Sequence, residues 1–299
     1  MSKRTVAILV IIIVVVIGVL LGASWYFSSV LLYPPKSECP REHFIYCKGP
    51  EEVGLKYENV TFKTSDNITI SGWYVPAGNS QKAVITVHGR GATRHEGMRW
   101  LKPLHDAGFN VLLVDLRNQG KSEGSINSMG YHEKKDVLGA VDFLAEIKNI
   151  SSIGVLSVSM GVAASVPAMV EDKRIKAGIF EAAFTDFQQI ITERAKVDFG
   201  LPKYPMMPMV MMFYEMRGNL DVDVLKPVEQ IGEIAPRPVF VIHCKDDDYI
   251  DYSHGQKLFK AANEPKKFWE APCDKHAEAW QGDPAKAEKL VTTFFRKNL

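Results

Sequence analysis

The hydrophobic pattern of the chain changes twice along its length. Residues 6–23 form an uncharged run built almost wholly of Val, Ile, Leu and Gly, and it continues through Trp25, Tyr26 and Phe27 to Leu32. Pro34-Pro35 ends the run, and an irregular polar linker follows to residue 56. Residues 57–63 and 68–75 then alternate apolar and polar around Ser65-Asp66-Asn67, which predicts an antiparallel hairpin.

From residue 83 the apolar residues come in short continuous runs, the pattern of strands buried on both faces of a sheet. Such runs occupy residues 83–88, 110–115, 153–158, 176–182, 238–243 and 267–271. Helical stretches fall between or after them, near 95–107, 133–147, 161–170 and 284–297; in the second, Val137, Leu138, Val141 and Leu144 share a face. With the hairpin, this predicts a mostly parallel eight-stranded sheet flanked by helices, an α/β domain running over 57–299. Residues 184–235 break the alternation. They carry Met206, Met207, Met209, Met211, Met212 and Met216 among prolines and aromatics, and read as an inserted cap or lid.

The first run is long enough to cross a membrane, since a bilayer core ~30 Å thick needs about 20 helical residues. Its β-branched residues would favour a strand in water, but in lipid only an internally bonded helix or a closed barrel satisfies the backbone. Lys3 and Arg4 precede the run, and the aromatics at 25–27 stand where an interfacial belt would. Residues 1–5 are therefore expected in the cytoplasm, 6–32 as a single-pass transmembrane signal anchor, 33–56 as linker, and the catalytic domain on the extracytoplasmic side. A cleaved signal peptide is the competing reading. Its apolar region normally runs to about 7–15 residues, and the small-x-small site here is Gly22-Ala23-Ser24. Either way the larger domain is exported.

Composition changes little. Of 299 residues, 46% are hydrophobic and 24% charged, with a formal net charge of +1, so nothing points to nucleic acid as a partner or to disorder. Asn59, Asn67 and Asn149 head N-x-S/T sequons, relevant in a host that glycosylates exported proteins. The cysteines say more. Cys39 and Cys47 are close in sequence, while Cys244 and Cys273 are far apart. An oxidising compartment permits both pairs to bridge, and four separate thiols are the alternative. No C-x-x-C occurs, so a structural zinc site is not expected.

Candidate chemistry clusters at strand ends. Ser157-Val158-Ser159-Met160-Gly161 stands between a buried strand and a small-residue helix. It resembles the G-x-S-x-G nucleophile elbow of α/β-hydrolases, with Ser157 in place of the first glycine; the sharp turn needs small neighbours, and serine is small. His88-Gly89-Arg90-Gly91, after the first buried strand, is similar to the H-G-x-G turn of that family, although a plain Gly-rich turn reads the same way. Residues 115–122 (DLRNQGKS) resemble its structural D-x-R-x-x-G-x-S turn, and Asp115 is not a triad candidate because it precedes the serine. His243 through Ile250 resembles H-G-x-x-D-x-x-V, which selects Asp247 and leaves Asp246 and Asp248 as alternatives in the acidic run. Of the eight histidines, only His276 follows the last strand in a turn setting; His88 and His243 end strands, His43 lies in the linker, His95, His105 and His132 precede the serine, and His254 falls on a helix after the acid turn.

Together these motifs resemble the α/β-hydrolase superfamily of serine hydrolases. In architecture the chain is similar to its membrane-anchored, esterase- or lipase-like members. The resemblance implies a catalytic triad of Ser159, Asp247 and His276 in that chain order. It also implies an oxyanion hole formed by the backbone N–H groups of Arg90 and Met160. No metal and no cofactor are implied. The expected reaction is hydrolysis of a carboxylic ester, a small molecule or a lipid, through an acyl-serine intermediate. Thioesters, amides and peptides use the same triad. An inactive membrane receptor on this fold would be expected to lack a triad residue, and none is missing. The methionine-rich segment is expected either to line an adaptable apolar pocket near Ser159 or to bury one face of a cap helix.

Overall fold

The computed structural model describes residues 1–35, 39 and 45–299; residues 36–38 and 40–44, His43 among them, lie outside the described residues. Eight strands form one sheet in the order β1-β2-β4-β3-β5-β6-β7-β8. β1 (Glu58–Lys63) and β2 (Thr69–Val75) are the expected hairpin, and β2 runs antiparallel to β4 (Asn110–Asp115). The pairs joining β3 (Lys82–Val87), β4, β5 (Ser152–Val158), β6 (Ile175–Glu181), β7 (Val239–Cys244) and β8 (Lys266–Ala271) are all parallel. The continuous apolar runs are strands covered on both faces: every residue of β4 and β7 is buried.

Helices α3 (Lys134–Asp142), α4 (Met160–Glu171) and α8 (Tyr252–Ala261) pack on one face. Helices α2 (Met98–Asp106) and α10 (Pro284–Asn298) pack on the other, beside the short α9 (Ala279–Gly282). The chain leaves β3 for β4 on one side and returns to β5 on the other. The carboxyl ends of β3 and β5 therefore flank the switch point where open α/β sheets bind ligands. Residues 184–235 form a helical cap containing α5 (Phe187–Phe199), α6 (Met206–Gly218) and α7 (Pro227–Gln230). α5 begins at Asp186, whose side chain accepts from the Gln189 N–H, and stops at Gly200 in the left-handed region.

The N-terminal run is one helix, α1 (Lys3–Leu32), long and apolar enough to cross a membrane; a signal sequence meets the same criteria. Its two parts differ. No residue before Ser24 is buried, whereas Ser24, Ser28, Leu31 and Leu32 pack against the cap. Small hydroxyl residues at 24 and 28 let α6 approach closely. Trp25 meets Phe213 edge-on at 5.5 Å, and the Arg217 guanidinium lies 4.0 Å from the Trp25 ring. Arg217 also donates to Ser28 Oγ (2.6 Å), Ser29 Oγ (2.8 Å) and the Trp25 carbonyl (3.0 Å). The end of the linker joins the domain as well, with Tyr46, Val53 and Leu55 packed on the α2 side.

Candidate active site

β5 delivers Ser159 into a turn that only a strained backbone can make. Its φ of 50° and ψ of −118° are outside the regions a serine ordinarily adopts, and α4 begins at the next residue. Crowding explains the small neighbours. A Cβ on Gly161 would come within 2.6 Å of the Val87 carbonyl, so position 161 accepts glycine alone. Ser157, which replaces the expected glycine, is fully buried, and its hydroxyl donates to Ser165 Oγ at 2.7 Å. The substitution thus leaves its hydroxyl hydrogen-bonded.

The three sequence-predicted side chains meet. His276 Nε2 lies 2.9 Å from Ser159 Oγ, and its Nδ1 lies 3.0 Å from Asp247 Oδ2. Asp247 is buried and also accepts from the N–H groups of Tyr249 (2.9 Å) and Ile250 (2.8 Å). Burial opposes its ionisation, but the His276 hydrogen bond and charge, the Ile250 N–H and nearby His243 outweigh that. They hold the carboxyl below its ordinary value. Asp248 has a different task, accepting from the His276 backbone N–H at 3.0 Å. His243 is a strand-end brace: Nε2 donates to the Ile250 carbonyl at 2.9 Å, and burial lowers its pKa.

Cys244 and Cys273 are disulfide-bonded with Cα atoms 5.0 Å apart, tying the acid loop to the histidine loop; Cys39 and Cys47 are also bonded. Closing a loop of this length contributes about 3–4 kcal/mol through the denatured chain. The spacing of each cysteine three residues before an acid or a base has this geometric meaning.

The H-G-x-G turn faces the serine. The Met160 N–H opens α4, where the first donors of a helix have no intrahelical acceptor. The His88 ring is neutral in one tautomer. Burial lowers its pKa, Nε2 accepts from the Leu116 N–H at 2.9 Å, and Nδ1 donates to the Gly89 carbonyl at 2.7 Å. Gly89 N–H donates to Glu96 Oε2 at 2.6 Å. Asp115 is structural, clamped by Arg94 through Nε (2.9 Å) and Nη2 (2.5 Å).

Several supporting residues left no trace in the motifs. Glu181, buried under the elbow, accepts from the Ser159 N–H with its carbonyl (2.9 Å) and from the Ala279 N–H with its side chain (3.1 Å). Arg99, also buried, pairs with Glu181 at 3.1 Å. Asn127 is a junction between three elements. Its N–H donates to the Leu32 carbonyl (2.7 Å), its carbonyl accepts from Tyr214 Oη (3.1 Å), and its Nδ2 lies 3.1 Å from Met160 Sδ. Among the described residues no group of three or more His, Cys, Asp or Glu side chains is arranged to hold a metal ion.

A cleft of about 350 Å³ exposes Ser159 and His276 between Gly89, Arg90, Glu96, Asp248 and Tyr249. A second, apolar cavity of about 150 Å³ shares Arg90 and Tyr249 with it and extends under the cap. Of the six cap methionines, Met207 lines this cavity. Met206 and Met211 are buried, and Met212 and Met216 are exposed, so the methionine-rich helix is mainly a packing element with one methionine in this cavity.

A family model described as the alpha/beta hydrolase fold matches residues 82–207. Two uncharacterised bacterial proteins are similar. YqkD of Bacillus subtilis (strain 168) is 28% identical over 230 residues, covering 75% of this chain and 74% of its own. YfhR of Escherichia coli (strain K12) is 25% identical over 231 residues, with 75% and 74% covered. Among solved structures, an esterase of Pyrococcus furiosus aligns with a TM-score of 0.67 at 25% identity, over 89% of this chain and 98% of that one. The order of the sheet, the strained turn after β5 and these likenesses agree: the chain has the α/β-hydrolase fold.

Proposed function

We propose that the protein is a serine hydrolase that cleaves carboxylic esters with hydrophobic acyl groups, held at a membrane by α1 with its catalytic domain on the extracytoplasmic side. Hydrolase activity in general is supported by the family and by the esterase among its structural neighbours. The observation that carries the finer reading is the hydrogen-bonded chain Ser159–His276–Asp247, with the serine on a strained turn. A serine hydroxyl is a weak nucleophile near neutral pH, so His276 takes its proton as Oγ attacks the ester carbonyl and returns it to the leaving alcohol. Asp247 holds the imidazole in the tautomer with a free Nε2 and stabilises the imidazolium. The N–H groups of Arg90 and Met160 stabilise the tetrahedral oxyanion, each such donor being worth about 3–4 kcal/mol of barrier. Water then attacks the acyl-serine by the same route reversed. The two disulfides and the exposed aliphatic stretch of α1 support the extracytoplasmic, anchored arrangement.

A substrate panel tests the reading. For wild-type protein, kcat/KM across aryl esters rises from acetate upward, by up to about fourfold per buried methylene, and exceeds that for the matching amides. A folded protein that turns over none of these esters, or whose profile peaks at acetate and falls steadily, overturns it.

A further inference from the structure

We propose that the last two turns of α1 are a wall of the acyl-chain site, so that the helix that anchors the protein also selects the length of the chain it cleaves. This rests on the ester reading above. Phe27, Val30 and Leu31 of α1 line the apolar cavity, facing Ile191 of α5 and Met207 and Val210 of α6. Arg90 and Tyr249 stand at its boundary with the Ser159 cleft, and the Tyr249 ring lies 5.2 Å from the His276 ring. An acyl chain whose carbonyl sits at Ser159 has an apolar continuation past Tyr249, on whose ring Arg194 lies at 4.1 Å, into the space closed by α1, with the charged Arg194 and Asp198 at its edge.

That wall is fixed in position. Arg90 Nη2 donates to the Val30 carbonyl at 2.6 Å and the Leu31 carbonyl at 3.3 Å, where a helix C-terminus has unpaired acceptors and favours a cation. Asn127 holds the Leu32 carbonyl and contacts Met160, and Arg217 holds the turn before. The oxyanion turn and the end of the anchor are thus one connected unit.

The placement also defines the source of the ligand. Residues 6–23 span about 27 Å at the helical rise, close to the thickness of a bilayer core. The helix becomes buried in the cap at Ser24, beside Trp25 and Tyr26. Phe27 to Leu31 therefore lie within two turns of the membrane surface. The cap exposes Phe199, whose ring meets Phe27 at 5.1 Å, and also Tyr204, Met212 and Met216, large apolar side chains suited to the interface. The ligand class is an amphiphilic ester whose linear acyl chain is drawn from the bilayer.

The full chain in lipid nanodiscs tests this with two variants of opposite sense, Val30→Trp, which fills the cavity, and Phe27→Ala, which enlarges it. Val210→Phe fills the same space from the cap if Val30→Trp fails to fold, as judged by thermal unfolding. The readout is the rate of covalent labelling by a decyl fluorophosphonate relative to an ethyl one, with kcat/KM for decanoate relative to butyrate. Filling is expected to lower both ratios by about tenfold or more, and enlarging to move the optimum to longer chains. Filled and enlarged variants that are labelled normally and keep the wild-type ratios overturn the proposal alone. Wild-type protein that neither fluorophosphonate labels overturns the ester reading and this proposal with it.

Discussion

Asp247→Asn is expected to leave the protein folded and to lower kcat for a medium-chain ester by about 10⁴, the loss seen when a triad acid becomes an amide. The carboxylate accepts from His276 Nδ1, which fixes the proton on that nitrogen and leaves Nε2 to accept from Ser159 Oγ. An asparagine still accepts from the Tyr249 and Ile250 N–H groups that shape the turn, but its amide N–H₂ favours the other tautomer of the ring. A protonated Nε2 cannot take the serine proton. Asp248→Asn keeps an oxygen for the His276 N–H and costs far less. Asp246 is exposed and likewise dispensable. Turnover of the three variants, with folding checked by thermal unfolding, decides the matter. Asp246→Asn as the crippling change would move the acid one position.

The largest stability loss is expected from Arg99→Met, about 3–5 kcal/mol, because it strands a buried carboxylate. Arg99 and Glu181 are both almost wholly buried, and Glu181 holds the Ser159 N–H from beneath. Burial raises the Glu181 pKa against the opposing pull of Arg99 and the Ala279 N–H, so losing Arg99 raises it further. A carboxyl with a raised folded pKa binds its proton more tightly in the folded chain. The penalty is thus smallest below the ordinary Glu value and grows as pH rises through the raised one. Glu181→Gln in the Arg99→Met background should recover part of the loss. Denaturant unfolding at acid and neutral pH measures both effects. A loss under ~1 kcal/mol that is independent of pH would show that the pair does not brace the elbow.

The sequence made legible what is local. Continuous apolar runs gave the strands to within a residue or two, since a strand covered on both faces needs apolar side chains in succession. The meeting of Ser159, Asp247 and His276 was legible for a related reason: each occupies a turn after a strand, so its position followed once the strands were known. Contacts between distant segments left no such signature. Nothing near Asn127 suggests that it joins Leu32, Tyr214 and Met160, and nothing near Arg217 points to Ser28. The methionines left pocket lining and packing open for a different reason. Their close spacing spreads them around α6, so one reaches the cavity, others enter the core and two face outward. The contact of the end of α1 with the cap has no mark in the sequence either, because aromatics suit an interface and a protein interior equally well.

The central claim is that Ser159 is an activated nucleophile, and covalent labelling with a fluorophosphonate probe, mapped by peptide mass spectrometry, tests it most directly. The probe reacts with a serine whose proton a base removes and whose phosphoryl oxygen an oxyanion hole receives. Wild-type protein is predicted to carry one adduct, on the peptide containing Ser159. Ser159→Ala is predicted to carry none, and His276→Ala to label far more slowly. Folded wild-type protein that stays unlabelled, or an adduct that persists in Ser159→Ala, would contradict the account.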